Sequence, residues 1–376
     1  MSKGGESMKE GWKMVKFEDA IQKVTYTNKI SSNSYKTNGC YPIVSQEKDL
    51  INGYWNNEDD LFKVQKPIII FGDHTKVVKY IDFDFVLGAD GVKILLPHDG
   101  IDSKFFYYYV SGIDLRDLGY ARHYKLLKEK NIPLPPLEEQ HRIVGILDAA
   151  FAKIDALKAN AEANLANAKA LFQQVLAQEL KPKEGWVEKK LGEIYDVRDG
   201  THDSPKYYLE GYPLVTSKNL KETGLDLSNV KYINEKDYHA INLRSKVDVG
   251  DILFAMIGTI GNPVQVTEEP NYAIKNMALF KVGQSNSSEY LKYFLLSSIE
   301  RMRKEANGTT QKFVSLNYLR NFIINLPPLE EQHRIVSTLD TLSEKCRRLE
   351  QVAQQTIREC DALKQSILRQ AFSGEL

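Results

Sequence analysis

The sequence contains few cysteines and no long apolar segment. Its three cysteines, Cys40, Cys346 and Cys360, are too widely spaced for a disulfide framework or for the C-x-x-C pairs typical of metal sites. No segment approaches the roughly 18 apolar residues that a membrane-spanning helix requires, and residues 1–9 lack the apolar core of a signal peptide. We therefore expect a cytoplasmic location and no contact with a membrane.

The sequence also lacks net charge and nucleotide-binding motifs. Its 50 Lys and Arg residues are balanced by 50 Asp and Glu residues, whereas a simple nucleic-acid-binding protein usually carries a basic excess. A small basic excess lies in residues 1–134 (19 basic against 18 acidic) and in residues 181–326 (20 against 18), so any nucleic-acid site must be local. There is no G-x-x-x-x-G-K-[ST] phosphate loop and no glycine-rich dinucleotide fingerprint. We expect no cofactor.

A duplication organises the 376 residues of the chain. The ten residues PPLEEQHRIV occur at 135–144 and again at 327–336, an offset of 192 positions. Similarity continues at this offset to the end of each 46-residue repeat. A second pair of markers, Trp12 and Trp186, precedes two blocks of unequal length, which extend 123 and 141 positions from the tryptophan to the repeat. The chain therefore alternates a variable block with a repeat, twice.

Each repeat has the pattern of a long helix. Prolines precede two glutamates that favour a helix N-terminus, and the only glycine that follows in the first copy is Gly145. The pattern predicts a helix from about 137 to 178. An apolar heptad stripe in both copies predicts that the two helices pair, and antiparallel pairing would place the two blocks at opposite ends of the pair. The alternative is that each stripe packs only on its neighbouring block. The predicted seam positions are Ile143, Leu147, Ala150, Ile154, Leu157, Ala161, Asn164, Ala168, Leu171 and Val175, and then Ile335, Leu339, Leu342, Cys346, Leu349, Ala353, Thr356, Cys360, Leu363 and Ile367.

The two variable blocks have the pattern of mixed α/β domains. Apolar runs bounded by Gly and Asp turns predict strands, and each block ends in a short helix. The same order of signals in both blocks indicates divergent copies of one domain. The predicted strands are 67–71, 77–81, 83–87 and 92–96 in the first block and 212–216, 251–257, 263–267 and 277–282 in the second, and the predicted helices are 103–111 and 288–303.

These motifs resemble those of the specificity subunits of type I restriction-modification enzymes. The resemblance rests on the tryptophan starts GWKMVKFEDA and GWVEKKLGEI, the segment GDILFAMIGTIGN, the repeated PLPPLEEQHRIV and the phrase GTTQKFVSLNYLRNFIINLPPLEEQ. It covers nearly the whole chain. In the first block, residues 120–131 (YARHYKLLKEKN) depart from the GTTQ phrase, so the resemblance of individual residues is weaker there.

The resemblance implies an α+β fold with two mixed α/β target-recognition domains separated by two long helices that form an antiparallel coiled coil. The corresponding segments are 1–134 (first target-recognition domain), 135–180 (first helical repeat), 181–326 (second target-recognition domain) and 327–376 (second helical repeat). It implies a non-catalytic subunit that reads a bipartite, asymmetric site in double-stranded DNA. The implied partners are two methyltransferase subunits, and through them restriction subunits.

The candidate DNA-binding residues lie in polar, turn-rich clusters that contain basic side chains. Cations bind phosphates, and hydrogen-bonding side chains on loops reach base edges. Ordinary solvated loops have a similar composition, and this alternative stays open for each single residue. The candidates in the first block are Ser34, Tyr35, Lys36, His74, Thr75, Lys76, Arg122, His123 and Lys125. Those in the second are Arg198, Thr201, His202, Lys206, Tyr207, Arg301, Arg303, Lys304, Thr309, Thr310, Gln311 and Lys312.

The polar residues at each helix start are the candidates for binding a partner subunit. His141 and His333 have no second ligand at i+4, so helix-start polarity or partner contact is a better interpretation than a metal site. Two alternatives to a DNA-reading subunit are a coiled-coil scaffold without DNA readout and a self-sufficient methyltransferase. The latter disagrees with the two Pro-Pro pairs, which are flanked by leucines and not by the polar and aromatic residues that clamp a flipped adenine. The partner-binding candidates are Glu138, Glu139, Gln140, His141, Arg142, Glu330, Glu331, Gln332, His333 and Arg334.

Overall fold

The structure, a computed structural model, describes residues 9–89, 91–119, 121–283, 285–308 and 312–376. The chain forms two compact units. Unit 1 consists of Met1–Glu162 and Gln354–Leu376, and unit 2 of Ala163–Ala353. Each unit thus contains one variable block and parts of both long helices. Among the described residues, no helix is both long and apolar enough to span a membrane.

Unit 1 contains the first variable block, which is built mainly from short strands. Its elements are β1 (Lys13–Lys16), β2 (Ile21–Gln22), β3 (Lys29–Ile30), β4 (Tyr41–Val44), β5 (Gly53–Trp55), β6 (Leu61–Phe62), β7 (Ile68–Gly72), β8 (Val78–Ile81), β9 (Phe85–Gly88), β10 (Val92–Pro97), α1 (Ser103–Gly112), α2 (Tyr124–Lys128) and β11 (Asn131–Leu134). The long helix α3 (Leu137–Glu179) follows and continues into unit 2.

Unit 2 contains the second variable block, whose described residues form more helices than those of the first block. Its elements are β12 (Val187–Lys190), α4 (Leu191–Ile194), β13 (Asp196–Asp199), β14 (Tyr212–Val215), β15 (Leu220–Lys221), β16 (Gly224–Leu225), β17 (Lys231–Ile233), α5 (Glu235–Ser245), β18 (Ile252–Ala255), β19 (Gly261–Gln265), β20 (Ala273–Ile274), β21 (Met277–Lys281), α6 (Ser288–Glu305), α7 (Leu316–Asn321) and β22 (Ile323–Leu326). The second long helix, α8 (Leu329–Ser373), begins here and ends in unit 1.

The two blocks share one sheet topology. A four-stranded antiparallel sheet has the order β2-β10-β7-β8 in unit 1 and β13-β21-β18-β19 in unit 2. A separate strand pair joins the start of each block to its end, β1 with β11 and β12 with β22. In both units a further strand pairs in parallel with a later one, β4 with β9 and β14 with β20. The prediction that the blocks are copies of one domain agrees with this topology.

Side chains on both faces of each four-stranded sheet are buried. In unit 1, Ile69 and Phe71 pack with Phe106 of α1, whereas Ile68 and Ile70 on the other face pack with Val44 and neighbouring strands. Unit 2 repeats the arrangement, with one face against α6 and the other against β14 and β20. Burial on both faces explains why these strands are continuous apolar runs in the sequence.

The long helices pair antiparallel within each unit. In unit 1, Lys158 Nζ lies 2.6 Å from Asp361 Oδ1, and Lys364 pairs with Asp155, so residue numbers rise along one helix as they fall along the other. In unit 2, the end of α3 meets the start of α8, where Arg334 Nη2 lies 2.6 Å from Glu179 Oε2. The predicted fold class, with its antiparallel helical pair, is confirmed.

The predicted seam is correct for part of each heptad and wrong for the other part. Among the described residues, positions seven apart are buried, namely Ile154, Ala161 and Ala168 on α3 and Cys346, Ala353 and Cys360 on α8. On the alternating row, Ile143 and Ile335 are buried as predicted, but four leucines are exposed: Leu157 and Leu171 by 53% and 45%, and Leu349 and Leu363 by 54% and 49%. Small residues on the buried row allow the helices to approach along that row, which leaves the leucine row outside the contact.

Two leucines of α3 test this correction. Leu147 is fully buried against Trp12, Phe105 and Ile143, and Leu147→Ala should lower the free energy of unfolding by about 2–5 kcal/mol. Leu157→Ala removes the same atoms from a half-exposed position, and we expect a change within about 0.5 kcal/mol. Urea unfolding followed by circular dichroism measures both. Equal losses would show that Leu157 belongs to the packed seam.

Candidate nucleic-acid interface and helix junctions

A buried glutamine joins α3 to the variable block of unit 1. Gln140 is 1% exposed. Its Oε1 accepts from the backbone N–H of Asp102, the residue that caps α1, at 2.8 Å. Its Nε2 donates to the backbone carbonyls of Gly100, at 3.1 Å, and Pro135, at 2.9 Å. One buried amide therefore bonds three backbone groups and fixes the start of α3 against the start of α1.

Gln332 makes the same junction in unit 2. It is 1% exposed, its Oε1 accepts from the N–H of Ser287, which caps α6, at 3.0 Å, and its Nε2 donates to the carbonyl of Pro327 at 3.0 Å. Its remaining contact is Asn286 Oδ1 at 3.4 Å. Burial corrects the prediction that Gln140 and Gln332 contact a partner subunit, because neither side chain is accessible.

An ion-pair cluster covers each junction. In unit 1, Glu139 bonds Arg142 Nε at 2.6 Å and Lys9 Nζ at 3.2 Å. The hydrogen bonds from Arg142, and then from Lys9, lower the pKa of Glu139 to about 2. In unit 2, Glu331 bonds Arg334 at 2.7 Å and Lys183 at 3.3 Å. The contacting lysines belong to the tetrapeptide KEGW, which begins both blocks.

A tyrosine from each block adds a second shared contact. Tyr108 of α1 donates to Asp148 Oδ1 of α3, and Tyr293 of α6 donates to Asp340 Oδ1 of α8, each at 2.5 Å. Burial and the hydrogen bond to the carboxylate raise the pKa of both tyrosines. Of the predicted partner-binding residues, six have exposed side chains: Glu138, His141, Arg142, Glu330, His333 and Arg334.

Along the strand direction, the four-stranded sheet of unit 2 has two ends, and these have different surroundings. At one edge, Ser288 Oγ donates to the carbonyl of Gly250 beside the start of β18, next to the Gln332 junction. At the opposite edge, the register aligns the end of β13, the start of β21, the end of β18 and the start of β19. We call these two ends of the sheet, where its strands begin or finish, the junction edge and the free edge; neither term refers to an outermost strand. Segments 200–207, 275–276 and 256–260 leave the strands at the free edge.

The free edge of unit 2 collects both predicted DNA-binding clusters of the second block. Thr201 and His202 lie in the loop that follows β13, and His202 Nδ1 is 2.9 Å from Asn276 Oδ1. The helix α6 extends from the junction edge to the free edge, where Arg303 Nε donates to the carbonyl of Ile260 at 3.0 Å. Lys312 reaches the same hairpin, since its carbonyl accepts from the N–H of Gly258 at 3.0 Å.

The remaining DNA-binding candidates of unit 2 differ in whether their side chains already have a partner within the unit. Arg198 pairs with Asp196 at 2.5 Å, and Arg301 pairs with Glu305 at 2.9 Å, so these two guanidinium groups already have carboxylate partners. Lys206 and Lys304 are exposed. The Tyr207 ring lies 4.1 Å from Lys231 Nζ. Three candidates, Thr309, Thr310 and Gln311, lie outside the described residues.

Unit 1 has a corresponding free edge. The β7–β8 hairpin, residues 73–77, contains the candidates His74, Thr75 and Lys76 and lies at the end of the sheet opposite the Gln140 junction. Thr75 Oγ1 donates to the carbonyl of Gln46 at 2.6 Å, and Lys76 Nζ lies 3.6 Å from Asp117. The predicted cluster at 122–125 lies beside this hairpin, because the carbonyl of Asp73 accepts from the N–H of His123 at 2.8 Å.

In unit 1, burial corrects one candidate, His123. Three other candidates, Ser34, Tyr35 and Lys36, lie beside β5 at the edge of the sheet that contains β3, β9, β4 and β5. His123 is fully buried, and its ring bonds the carbonyl of Asp73 at 3.1 Å and the N–H of Leu118 at 3.1 Å. It holds the hairpin and is not accessible to a ligand, whereas Arg122 and Lys125 are exposed. Burial raises the pKa of Tyr35 despite opposing hydrogen bonds to Ala89 and Ser45. Ser34 and Lys36 beside it are exposed, with Lys36 Nζ 5.6 Å from the Trp55 ring.

Sequence reasoning missed two features of the free edges. The turn 256–260 between the predicted strands 251–257 and 263–267 has the same topological position as the hairpin 73–77, but it contains no cation and so was not among the DNA-binding candidates. Arg244 at the end of α5 reaches Asp199 at the end of β13, 45 residues away in the chain. No local pattern signals a contact at that separation. Among the described residues, no group of three His, Cys, Asp or Glu side chains is arranged to hold a metal ion.

Residues 9–166 and 183–359 match the family described as "Type I restriction modification DNA specificity domain". The chain belongs to this family. The match includes both variable blocks and most of both long helices, and it confirms the resemblance carried by the repeated motif.

Curated relatives and solved structures agree with this assignment. The type I restriction enzyme EcoBI specificity subunit of Escherichia coli is 26% identical over 363 residues, which cover 86% of this chain and 75% of that protein. The EcoR124I/EcoR124II specificity subunit of Escherichia coli is 27% identical over 335 residues, 83% of this chain and 81% of that protein. A structure described under assembly and conformational transition of the type I R-M system has a TM-score of 0.73 at 20% identity, covering 98% and 100% of the two chains. The HsdS subunit of Thermoanaerobacter tengcongensis has a TM-score of 0.53 at 19% identity, with 100% of both chains covered. At these identities the two structures show a shared fold.

The junctions make a paired prediction for this family member. Gln140→Leu leaves buried backbone groups of unit 1 without partners and should destabilise that unit by about 1–3 kcal/mol, while Gln332→Leu does the same to unit 2. Hydrogen–deuterium exchange should therefore increase around residues 100–106 in the first variant and around residues 286–291 in the second. The exposed Gln173 provides the control, and Gln173→Leu should change neither region. Increased exchange in both units from either substitution would contradict the independence of the two junctions.

Proposed function

We propose that this chain is the non-catalytic DNA-reading subunit of a type I restriction-modification complex, and that each unit reads one half of a bipartite, asymmetric site in double-stranded DNA. One observation carries the proposal: in a member of this family, each block has a cluster of its polar and basic candidates at the free edge, away from the helix junction. The domain boundaries proposed are 1–134 and 181–326 for the readers and 135–180 and 327–376 for the helical repeats.

The distribution of charge supports two local DNA contacts. The chain has no net charge, yet exposed cations lie near both free edges, among them Arg122 and Lys125 in unit 1 and Lys206 and Lys312 in unit 2. Such a protein gains phosphate contacts at two sites without general attraction to nucleic acid. Sequence is then read by polar side chains on the loops of the same edges.

Catalysis is assigned to partner subunits, and the exposed leucines are the proposed docking surface. Each unit presents two of them on adjacent helix segments, Leu157 and Leu363 in unit 1 and Leu171 and Leu349 in unit 2. The two pairs correspond through the repeat, because Leu157 and Leu349 are 192 residues apart, as are Leu171 and Leu363. Equivalent apolar surfaces favour two copies of one partner, which we assign as two methyltransferase subunits, with restriction subunits bound through them. Glu138, His141, Glu330 and His333 are the accompanying polar contacts.

Exchange of one block tests the separation of the two readers. Residues 185–326 are replaced by the corresponding block of a relative, and the modified adenines are mapped in cells that also contain the methyltransferase subunits. We expect one half-site to change and the other to remain, because each block has its own sheet, core and junction. A change in both halves from a folded chimera would contradict the proposal. A wild-type complex whose DNA binding shows no sequence preference and no salt dependence would favour the scaffold alternative.

The docking surface is tested by a charge on the leucine row. Leu157→Glu with Leu363→Glu places carboxylates where a partner helix would pack, and the methyltransferase stoichiometry should fall from two to one in native mass spectrometry. Thermal unfolding of the isolated chain should be unchanged, since both side chains are half exposed. Asn160→Glu introduces the same charge on an exposed position of α3 and serves as the control. Retention of both methyltransferase copies by the double variant would exclude the leucine row.

A further inference from the structure

A partly buried carboxylate makes several contacts at the free edge of unit 2. Asp199 is the last residue of β13, and its side chain is 17% exposed. Its Oδ2 accepts from His202 Nε2 at 2.7 Å, and its Oδ1 pairs with Arg244 Nη2. Burial alone would raise the pKa of Asp199, but the hydrogen bonds from His202 and Arg244 lower it. One ionised carboxylate therefore connects a strand end, a loop and the end of α5.

The loop next to Asp199 is fixed from both sides. His202 Nδ1 is 2.9 Å from Asn276 Oδ1, and Asn276 has a left-handed φ of +54°. Lys275 is 9% exposed and donates to the carbonyl of Asp203 and to Ser204 Oγ, each at 2.7 Å. Three residues of the loop, His202, Asp203 and Ser204, are thus held by the turn between β20 and β21. A loop with these contacts presents its side chains in one arrangement before any ligand binds.

The two side chains held by Asp199 are themselves accessible. The side chain of Arg244 is 60% exposed and that of His202 is 56% exposed. Asp199 engages one terminal nitrogen of Arg244, and a guanidinium has five N–H donors in a planar fork, so donors remain for a ligand. Arg198 Nη1 donates to the backbone carbonyl of Arg244 at 3.3 Å, which also fixes the end of α5.

Arg244 lines an open pocket of about 320 Å³. The loop 201–205 forms one wall, and the other wall is α5, from Asp237 to Ser245. Among the described elements of unit 1, β6 has the chain position that α5 has in unit 2. Each follows an antiparallel strand pair, β4–β5 or β14–β17, and precedes the central hairpin, β7–β8 or β18–β19. The Asp199 cluster is therefore a feature of one reader and not of the shared domain.

We propose that Arg244 reads a guanine in the half-site of unit 2, and that Asp199 is the positioning residue that holds Arg244 and His202 for this contact. A guanidinium donating to O6 and N7 of guanine is the commonest specific contact in the major groove. Asp199 itself only accepts hydrogen bonds when ionised and acts through the two donors it fixes. The inference rests on the proposed function and adds the base identity and the residues that recognise it.

The test uses the assembled complex with its methyltransferase subunits and compares Arg244→Ala, Asp199→Asn and wild type. Duplexes containing the wild-type site, with each base pair of the unit 2 half-site replaced in turn, are titrated at several salt concentrations. For Arg244→Ala we expect discrimination at one G·C pair to fall by about 10- to 100-fold, with an unchanged salt slope. For Asp199→Asn we expect a smaller loss at the same pair. The half-site of unit 1 should be read normally by both variants.

Asp248→Asn is the matched control, because Asp248 pairs with Lys281 and Lys246 at the junction edge of the same sheet. It should leave all discrimination unchanged. A uniform loss of affinity with a salt slope reduced by about one would identify Arg244 as a phosphate contact and overturn the inference. The inference would also be overturned if the wild-type complex reads a bipartite site and Arg244→Ala discriminates every base pair of that site as well as wild type does. Absence of a bipartite site in the wild type would instead overturn the proposed function.

Discussion

The buried amides of Gln140 and Gln332 are the contacts on which the rest of the chain depends. Each connects the constant helical repeat to a variable domain, and the domain contributes mainly backbone atoms, the N–H of the residue that caps α1 or α6 and, in unit 1, the carbonyl of Gly100. A junction that hydrogen-bonds mainly to backbone atoms depends little on which side chains the domain carries there. The domains have therefore diverged in sequence while keeping one way of attaching to the helices.

Much of the fold was predictable because its signals are local. The ten-residue repeat indicated two equivalent helices, and apolar runs such as 67–71 and 277–282 indicated strands, which the structure has at Ile68–Gly72 and Met277–Lys281. The helix predicted from about 137 to 178 is Leu137–Glu179. Where the sequence interpretation was wrong, the missing information was the partner of a side chain. The heptad pattern alone did not distinguish Ala161, which is buried, from Leu157, which is exposed.

The candidate site was predictable as clusters and not as contacts. Composition placed polar residues at 73–76, 122–125 and 198–207, and the register brings each cluster to a free edge. It did not distinguish His123, which is buried as a support for the hairpin, from exposed Arg122. Asp199 and Arg244 were missed because their pairing depends on the packing of α5 against the sheet, a contact between segments 45 residues apart. Proximity of this kind is decided by tertiary structure.

The separation of the two sheet edges also explains how the blocks differ in length. The strands of the four-stranded sheets that connect these edges are mostly four to six residues long, roughly 13–20 Å at about 3.3 Å per residue. An insertion within such a strand would turn its side chains to the wrong face, whereas an insertion between strands leaves the register intact. The second block is longer by 18 residues between its tryptophan and its repeat, and it contains α5 where the first has β6. A block that grows by longer connections therefore gains new surface side chains without altering the Gln140 or Gln332 junction to the helices.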